Sequence, residues 1–313
     1  MLRQAPRPRR RRPVSSLPED RFALLPCGTR LCYRLDGAPD APPVLLIAGL
    51  AEDLTTWSDR FVSALFATGF RVIRIDNRDC GRSTYSTAPP PNTLRQLLAL
   101  PRRDAYTLAD MADDAAQLIE YLGVGPVHLV GRSMGGMIAQ VVAARYPHLV
   151  RTLTSLYSTT GNKKVGQPTL SSLALIAGSP PPRNRVGAVR AHLRITAHIA
   201  GTAYPVDEVE EATHATTTWD RTAGDGAAGT ARQIQAIYAS GDRTAELSRI
   251  EAPTLVINGD RDPLVAPSGG AATVAAIPGA RHIIIPGMGH HLPDSLAFRI
   301  ADLVVSHIEQ VPA

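Results

Sequence analysis

Short strand-like runs alternate with segments of helical periodicity over residues 44–156, and this alternation restricts the fold more than any other feature of the chain. The runs are Val44–Ala48, Phe70–Ile75, Val127–Gly131 and Leu149–Leu156. The intervening helical segments are Leu54–Thr68, Thr107–Leu122 and Met134–Tyr146. Strands this short and apolar, joined by helices, form a parallel sheet that is covered on both faces. The pattern predicts an α/β protein.

The same alternation returns near the C-terminus after an interruption. We expect strands at Thr254–Ile257 and His282–Ile285, with helices at Ser268–Ala276 and Ser295–Gln310. Between them and the first half, residues 159–245 show helical segments only. We interpret residues 19–158 and 246–313 as one core and residues 159–245 as a helical cap inserted into it; a separate helical domain is the alternative. Ahead of the core, Arg21–Leu25 and Arg30–Leu35 resemble an antiparallel pair around a tight turn.

The formal net charge of +5 does not describe the body of the chain. Six arginines lie within the first 12 residues, and subtracting them from +5 leaves −1 for the rest. Residues 1–18 are rich in Arg and Pro and lack periodicity, so we interpret them as a disordered basic arm. Docking of this arm on nucleic acid or an acidic partner is the alternative interpretation. The near-neutral remainder gives no electrostatic reason to expect a nucleic-acid partner.

Several classes of protein are disfavoured by what the sequence lacks. No apolar run approaches about 18 residues, so we expect no membrane span. Prolines and polar residues stand where a secretory signal has its apolar core. Cys27, Cys32 and Cys80 match neither a disulfide framework nor a zinc spacing. We therefore expect a cytoplasmic protein without metal or nucleotide cofactor, and the sequence does not determine its oligomeric state.

The most informative motif is Gly131-Arg132-Ser133-Met134-Gly135, which fits the pattern G-x-S-x-G between a predicted buried strand and a predicted helix. A strand that turns directly into a helix strains its apical residue and pushes that side chain outward. The two glycines let neighbouring backbone approach closely. We therefore predict that Ser133 is a nucleophile and that the N–H of Met134, at the helix N-terminus, stabilises an oxyanion.

A serine nucleophile needs a base and an acid that orients the base. Loops that follow two later predicted strands supply both, in the order expected for this type of sheet. We predict Asp262 as the acid, in preference to Asp260, which we interpret as a turn former. We predict His290 as the base, since Gly289 leaves room for its ring, and we place His291 at the rim of the pocket.

The remaining site residues are predicted from the loop after the first long strand and from aromatic side chains. Gly49 allows this loop to fold over the site, and the Leu50 N–H is the candidate second oxyanion donor. An aromatic substrate pocket could be lined by a set of core and cap residues, although each could equally serve only to pack the cap on the sheet. These residues are Trp57, Met137, Tyr204, Trp219 and Tyr238.

With these motifs in place, residues 21–313 resemble the α/β-hydrolase superfamily. The segments 70–83, 106–111 and 286–290 are similar to a bacterial branch that includes anthracycline methylesterases of the aclacinomycin type. The resemblance implies an α/β-hydrolase fold with a mostly parallel sheet, helices on both faces and a helical cap. It gives Asp76, Arg78 and Asp79 no catalytic role, and we interpret them as structural residues that tie loops near the oxyanion hole. Many relatives have His-Gly where this chain has Ala48-Gly49, and the backbone donor is unaffected by that difference.

The motifs and the resemblance together predict a serine hydrolase that cleaves a carboxylic ester through an acyl-enzyme. The resemblance implies a small-molecule substrate such as a methyl ester of a polyketide-like compound. Two alternatives stay open at this point. A cofactor-free haloperoxidase or a C–C bond hydrolase would use the same three residues, and a non-catalytic small-molecule binder would leave them unused.

Overall fold

The computed structural model describes residues 19–311, so the predicted basic arm at 1–18 lies outside the described residues. Its centre is an eight-stranded sheet with the order β1-β2-β4-β3-β5-β6-β7-β8. The strands are β1 (Arg21–Leu24), β2 (Arg30–Asp36), β3 (Pro43–Ile47), β4 (Arg71–Ile75), β5 (Val127–Arg132), β6 (Val150–Leu156), β7 (Thr254–Gly259) and β8 (Arg281–Ile285). Strands β3 to β8 run parallel, and β1 and β2 are antiparallel at one edge. The α/β-hydrolase fold expected from the sequence is confirmed.

Helices cover both faces of this sheet. They are α1 (Asp59–Ala67), α2 (Thr93–Leu97), α3 (Leu108–Leu122), α4 (Met134–Arg145), α5 (Leu170–Ala177), α6 (Arg185–Ile199), α7 (Glu208–Arg221), α8 (Gly226–Ser240), α9 (Thr244–Leu247), α10 (Ser268–Ala276) and α11 (Asp294–Glu309). Helices α1 and α11 bury their apolar sides on one face, and α3 and α4 bury theirs on the other. Because both faces are covered, every residue of β5 is buried, as its apolar composition predicts.

Local sequence explains where the helices begin and end. Thr107 and Asp110 form a capping box at the start of α3, and Gly123 ends that helix in the left-handed conformation. The prediction of one helix over 54–68 is wrong in its first turn. Leu54–Thr56 is a separate 3-10 turn capped by Asp53, and an extended Trp57 precedes Ser58, which caps α1.

Helices α5 to α9 all lie between β6 and β7, where the sequence predicts helical segments only. The main apolar clusters contain few residues from this stretch. Charged side chains fasten it to the sheet instead. Arg221 at the end of α7 is buried and contacts the carboxylates of Asp20, Asp53 and Asp76 at 2.6, 3.0 and 2.8 Å. Arg232 of α8 pairs with Asp79 at 2.6 Å. The exact bounds of the predicted cap, 159–245, stay a prediction.

Two of the three residues expected to be structural, Asp76 and Asp79, accept these ion pairs. The third, Arg78, pairs with Asp114 of α3 at 2.6 Å instead. Asp76 also accepts hydrogen bonds from the N–H groups of Leu54 and Arg82. Its burial and the neighbouring Asp53 raise its pKa to about 6, against the opposing effect of Arg221. A buried carboxylate cluster of this kind depends on its cation for neutralisation.

Among the helices between residues 19 and 311, none combines the length and apolar character needed to cross a bilayer.

We predict that Arg221→Leu lowers the free energy of unfolding by about 3–5 kcal/mol, because it leaves buried carboxylates without their cation. The control is Arg185→Leu, whose partner Asp220 and own guanidinium are both exposed, and which should change stability by less than about 1 kcal/mol. Urea unfolding followed by circular dichroism measures both. Equal effects of the two substitutions would contradict the assigned role of Arg221.

Candidate active site

The turn between β5 and α4 holds Ser133 in a strained conformation, with φ 53° and ψ −121°. Non-glycine residues rarely adopt positive φ because Cβ then crowds the following carbonyl. The predicted role of the glycines in close packing is confirmed. A Cβ on Gly131 would overlap the carbonyl of Gly135, and a Cβ on Gly135 would overlap the carbonyl of Ile47 in β3. Ser133 is thereby raised at the carboxyl edge of the sheet.

The structure brings Ser133, His290 and Asp262 together in one hydrogen-bonded chain. Ser133 Oγ lies 2.8 Å from His290 Nε2, and His290 Nδ1 lies 2.7 Å from Asp262 Oδ2. An ionised carboxylate can only accept a hydrogen bond, so the Nδ1 of His290 carries the proton. The Nε2 of His290 then accepts a hydrogen bond from the hydroxyl of Ser133. His290 and Asp262 are buried, and Ser133 is partly exposed. The arrangement can remove a proton from the hydroxyl of Ser133.

Tight turns hold the acid and the base in place. The second oxygen of Asp262, Oδ1, accepts the N–H groups of Leu264 and Val265 at 2.8 and 2.7 Å. The buried ring of Tyr157 packs edge-on against the His290 imidazole, with centroids 4.8 Å apart. The orientation of both groups is therefore fixed by backbone and packing.

The residues that we did not favour as acid and base lie in different surroundings. Asp260 accepts the Gly287 N–H of the neighbouring loop, so it joins two loops rather than bonding its own turn. His291 turns toward the helices between β6 and β7, where its Nε2 lies 3.1 Å from Glu211 of α7. Neither side chain has a hydrogen bond to Ser133 within the described part of the chain.

The two predicted oxyanion donors belong to two different segments of the chain near Ser133. Met134 is the first residue of α4, and Leu50 lies in the loop after β3. That loop comes close to the serine, since a Cβ on Gly49 would be 3.3 Å from Ser133 Cβ. Among the described residues, the N–H groups of Leu50 and Met134 donate to no other group. Both are free to bind an oxyanion, and their role stays a prediction.

Two of the five predicted pocket residues lie against the segment that carries Ser133. The Met137 N–H donates to the Ser133 carbonyl in the first turn of α4. Trp57 is buried against Phe61, with its ring 5.9 Å from the guanidinium of Arg132. The other three have no hydrogen bond or ring contact with Ser133 or His290 in the described chain: Tyr204 and Trp219, both half-buried, and Tyr238, which is 43% exposed. Substrate contact of all five stays a prediction.

The helical stretch is joined directly to the loop that carries the base. The His290 N–H donates to the carbonyl of Ile199, the last residue of α6, at 2.6 Å, and the Gly289 N–H donates to Ala200. Gly201 and Met288 form an isolated antiparallel bridge. The position of His290 therefore depends on α6 as well as on β8.

A polar cluster continues this junction into α7. His192 of α6 donates to Glu211 at 2.6 Å, and His291 lies against the other oxygen of the same carboxylate. Burial raises the pKa of Glu211, but the two histidines outweigh burial and lower it. Glu211 is therefore a stable anion between the helices and the histidine loop.

Sequence reasoning missed Glu52, Tyr157, Glu211 and Gln233. Tyr157 directly follows β6, so its place at the sheet edge could have indicated a site residue. Glu52 lies in the loop after β3, from which we predicted only the Leu50 N–H as a site group. Glu211 and Gln233 belong to helices with no motif, and no local signal distinguishes them. Within residues 19–311, no group of three or more His, Cys, Asp or Glu side chains is arranged to hold a metal ion.

Comparison with known proteins gives matches over most of the chain. Residues 42–176 match a family model described as alpha/beta hydrolase fold, and residues 231–299 match one described as TAP-like protein. The fold and these matches are those of an α/β-hydrolase enzyme.

Individual relatives are similar over nearly their whole length. Rhodomycin D methylesterase DauP of Streptomyces sp. (strain C5) is 29% identical, with 87% of this chain and 92% of that protein covered. Rhodomycin D methylesterase DnrP of Streptomyces peucetius is also 29% identical, with the same coverage. A hydrolase of Pseudomonas aeruginosa PA01 has a solved structure with a TM-score of 0.68 and 26% identity, covering 92% of this chain and 98% of that one. The resemblance to aclacinomycin-type methylesterases is confirmed.

We predict that Ser133→Gly is more stable than Ser133→Ala by about 1 kcal/mol, because glycine adopts positive φ without crowding. The control is Ser63, which is exposed in α1 and makes no side-chain hydrogen bond there. At Ser63 the glycine variant should be the less stable one by about 1 kcal/mol. The same order of stability at both positions, measured by urea unfolding, would contradict strain at Ser133.

Proposed function

We propose that this enzyme hydrolyses a carboxylic ester through an acyl-enzyme formed on Ser133. The observation that carries the proposal is the 2.8 Å contact between Ser133 Oγ and His290 Nε2 at a serine held with φ 53°. A strained backbone is maintained only where the surrounding structure enforces it, and such strain clusters at functional sites. The similarity to methylesterases supports the same reaction class.

In the proposed mechanism, His290 takes the proton of Ser133 as the hydroxyl attacks the ester carbonyl. Asp262 holds the imidazole in the tautomer that accepts this proton and stabilises the imidazolium. The N–H groups of Leu50 and Met134 receive the negative charge of the tetrahedral intermediate. His290 gives its proton to the leaving alcohol and then activates a water molecule that cleaves the acyl-enzyme.

The substrate is proposed to be a methyl ester of a polyketide-like small molecule. Two relatives that match over most of this chain are named rhodomycin D methylesterases, and this similarity supports the proposal. Helices α5 to α8 would serve as a cap that excludes water and sets specificity. The end of α6 is hydrogen-bonded to the loop that carries His290, and α7 is paired with Asp53 in the loop after β3.

We expect Ser133→Ala to lower kcat for p-nitrophenyl acetate by on the order of 10⁴–10⁶-fold, because no other side chain supplies the nucleophile. The matched control is Ser158→Ala, whose hydroxyl donates to the Ser133 carbonyl but is outside the hydrogen-bonded chain. It should retain most activity. Full activity of Ser133→Ala would refute the mechanism.

Intact-mass analysis after treatment with a fluorophosphonate separates this proposal from its alternatives. We expect one adduct, located on Ser133 by peptide mapping and absent from Ser133→Ala. An adduct without ester turnover on any ester tested would favour a haloperoxidase or C–C bond hydrolase with the same residues. The absence of any adduct would favour a non-catalytic binder.

A panel of esters tests the proposed substrate class. Aromatic methyl esters should give a higher kcat/KM than p-nitrophenyl esters of long aliphatic acids, because the proposed pocket is aromatic and the proposed leaving group small. The comparison is made at equal enzyme concentration across p-nitrophenyl esters of graded acyl length. A preference that rises with aliphatic length would contradict the methylesterase proposal while leaving the mechanism intact.

A further inference from the structure

Three consecutive backbone N–H groups of the loop after β3 have different partners. The Gly49 N–H donates to Glu52 Oε2 at 2.8 Å, and the Ala51 N–H donates to Gln233 Oε1 at 2.9 Å. The Leu50 N–H between them donates to no group of the described chain. Two side-chain acceptors thus occupy the flanking donors and leave the middle one for a ligand.

The conformation of this loop explains why it needs support. The Glu52 N–H donates to the Gly49 carbonyl at 3.3 Å, which closes a four-residue turn. The third residue of that turn, Ala51, has φ 60°, a conformation that favours glycine. An alanine there makes the turn unfavourable on its own, so contacts from outside the loop must hold it.

The first contact links the loop to the nucleophile. The other oxygen of Glu52, Oε1, accepts a hydrogen bond at 2.8 Å from Arg132, the residue before Ser133. Arg132 is buried and also donates to the Thr56 carbonyl. Its guanidinium lies 5.5 Å from the ring of Tyr157, which packs on His290. A shift of Glu52 would therefore move the loop relative to the serine.

The second contact comes from the helices between β6 and β7. Gln233 lies on α8 and is fully buried. Its amide is used at both ends, since Nε2 donates to the Arg78 carbonyl at 2.8 Å while Oε1 accepts from Ala51. The bond to Arg78 fixes the amide, and the amide in turn fixes the loop.

We propose that Glu52 and Gln233 are positioning residues that hold the Leu50 N–H at the distance an oxyanion requires. This inference rests on the proposed function, in which Leu50 is the second oxyanion donor. An oxyanion donor works only when it lies about 2.7–3.1 Å from the developing charge, so a small shift of the loop removes its effect. Helix α8 thereby contributes to the chemical step as well as to the shape of the site.

Gln233→Met tests the proposal, because methionine keeps the length and burial of glutamine but cannot accept the Ala51 N–H. We expect kcat for p-nitrophenyl acetate to fall by about 10- to 100-fold with KM nearly unchanged, since the loss is confined to the transition state. The matched control is Gln235→Met, which is buried on the same helix and has no bond to the loop. Its kcat should equal that of the wild type.

Two further variants separate positioning from folding. Gln233→Glu retains an oxygen that accepts the Ala51 N–H, so its kcat should lie above that of Gln233→Met. Glu52→Ala removes the acceptor of the Gly49 N–H, on the other side of Leu50 from Ala51. We expect a similar fall in kcat at unchanged KM. This variant is informative even if Gln233→Met does not fold, because Glu52 is partly exposed.

Affinity for a trifluoromethyl ketone, which forms an oxyanion on the serine, should weaken in parallel with kcat. Binding of the carboxylic acid product should not change. Wild-type kcat in folded Gln233→Met or Glu52→Ala, with Ser133→Ala inactive, would overturn this proposal alone. An active Ser133→Ala would overturn the proposed function instead.

Discussion

The turn at Ser133 exists because two stretches of backbone approach each other more closely than side chains permit. Gly135 at the start of α4 contacts the carbonyl of Ile47 in β3, and Gly131 contacts Gly135 across the turn. This packing forces Ser133 to positive φ and raises its hydroxyl at the sheet edge. The acid and the base are arranged around that raised hydroxyl, since Asp262 and His290 must each reach it from a separate loop.

The helices between β6 and β7 connect those separate loops. Arg221 pairs with Asp53 in the loop after β3, and Gln233 accepts a hydrogen bond from Ala51 in the same loop. The end of α6 binds the backbone of His290, and Ser172 of α5 donates to the Pro263 carbonyl beside Asp262. A buried polar junction is favourable only when its groups are paired, so these contacts specify one docked position for the helices.

This arrangement links the helices between β6 and β7 with the hydrogen-bonded chain at Ser133. If these helices packed on the sheet through apolar surface alone, a small displacement of the helices would break no hydrogen bond. Here a displacement of α6 or α8 would break hydrogen bonds to the backbone of His290 or Ala51. Glu211, held as an anion by His192 and His291, adds a further contact between α7 and the histidine loop. The helices and the reacting groups are therefore expected to move together or not at all.

Local sequence predicted the fold class, most of the strands and helices of the core, and the acid and base that meet at Ser133. Hydrophobic periodicity and capping motifs act over a few residues, so local sequence carries them, as the capping box at Thr107 shows. The pairing of Arg221 with three aspartates and the hydrogen bond from Ala51 to Gln233 depend on the tertiary structure. Those partners are separated by 145 or more positions in the chain, and no local pattern records which distant side chain will complete a buried hydrogen bond.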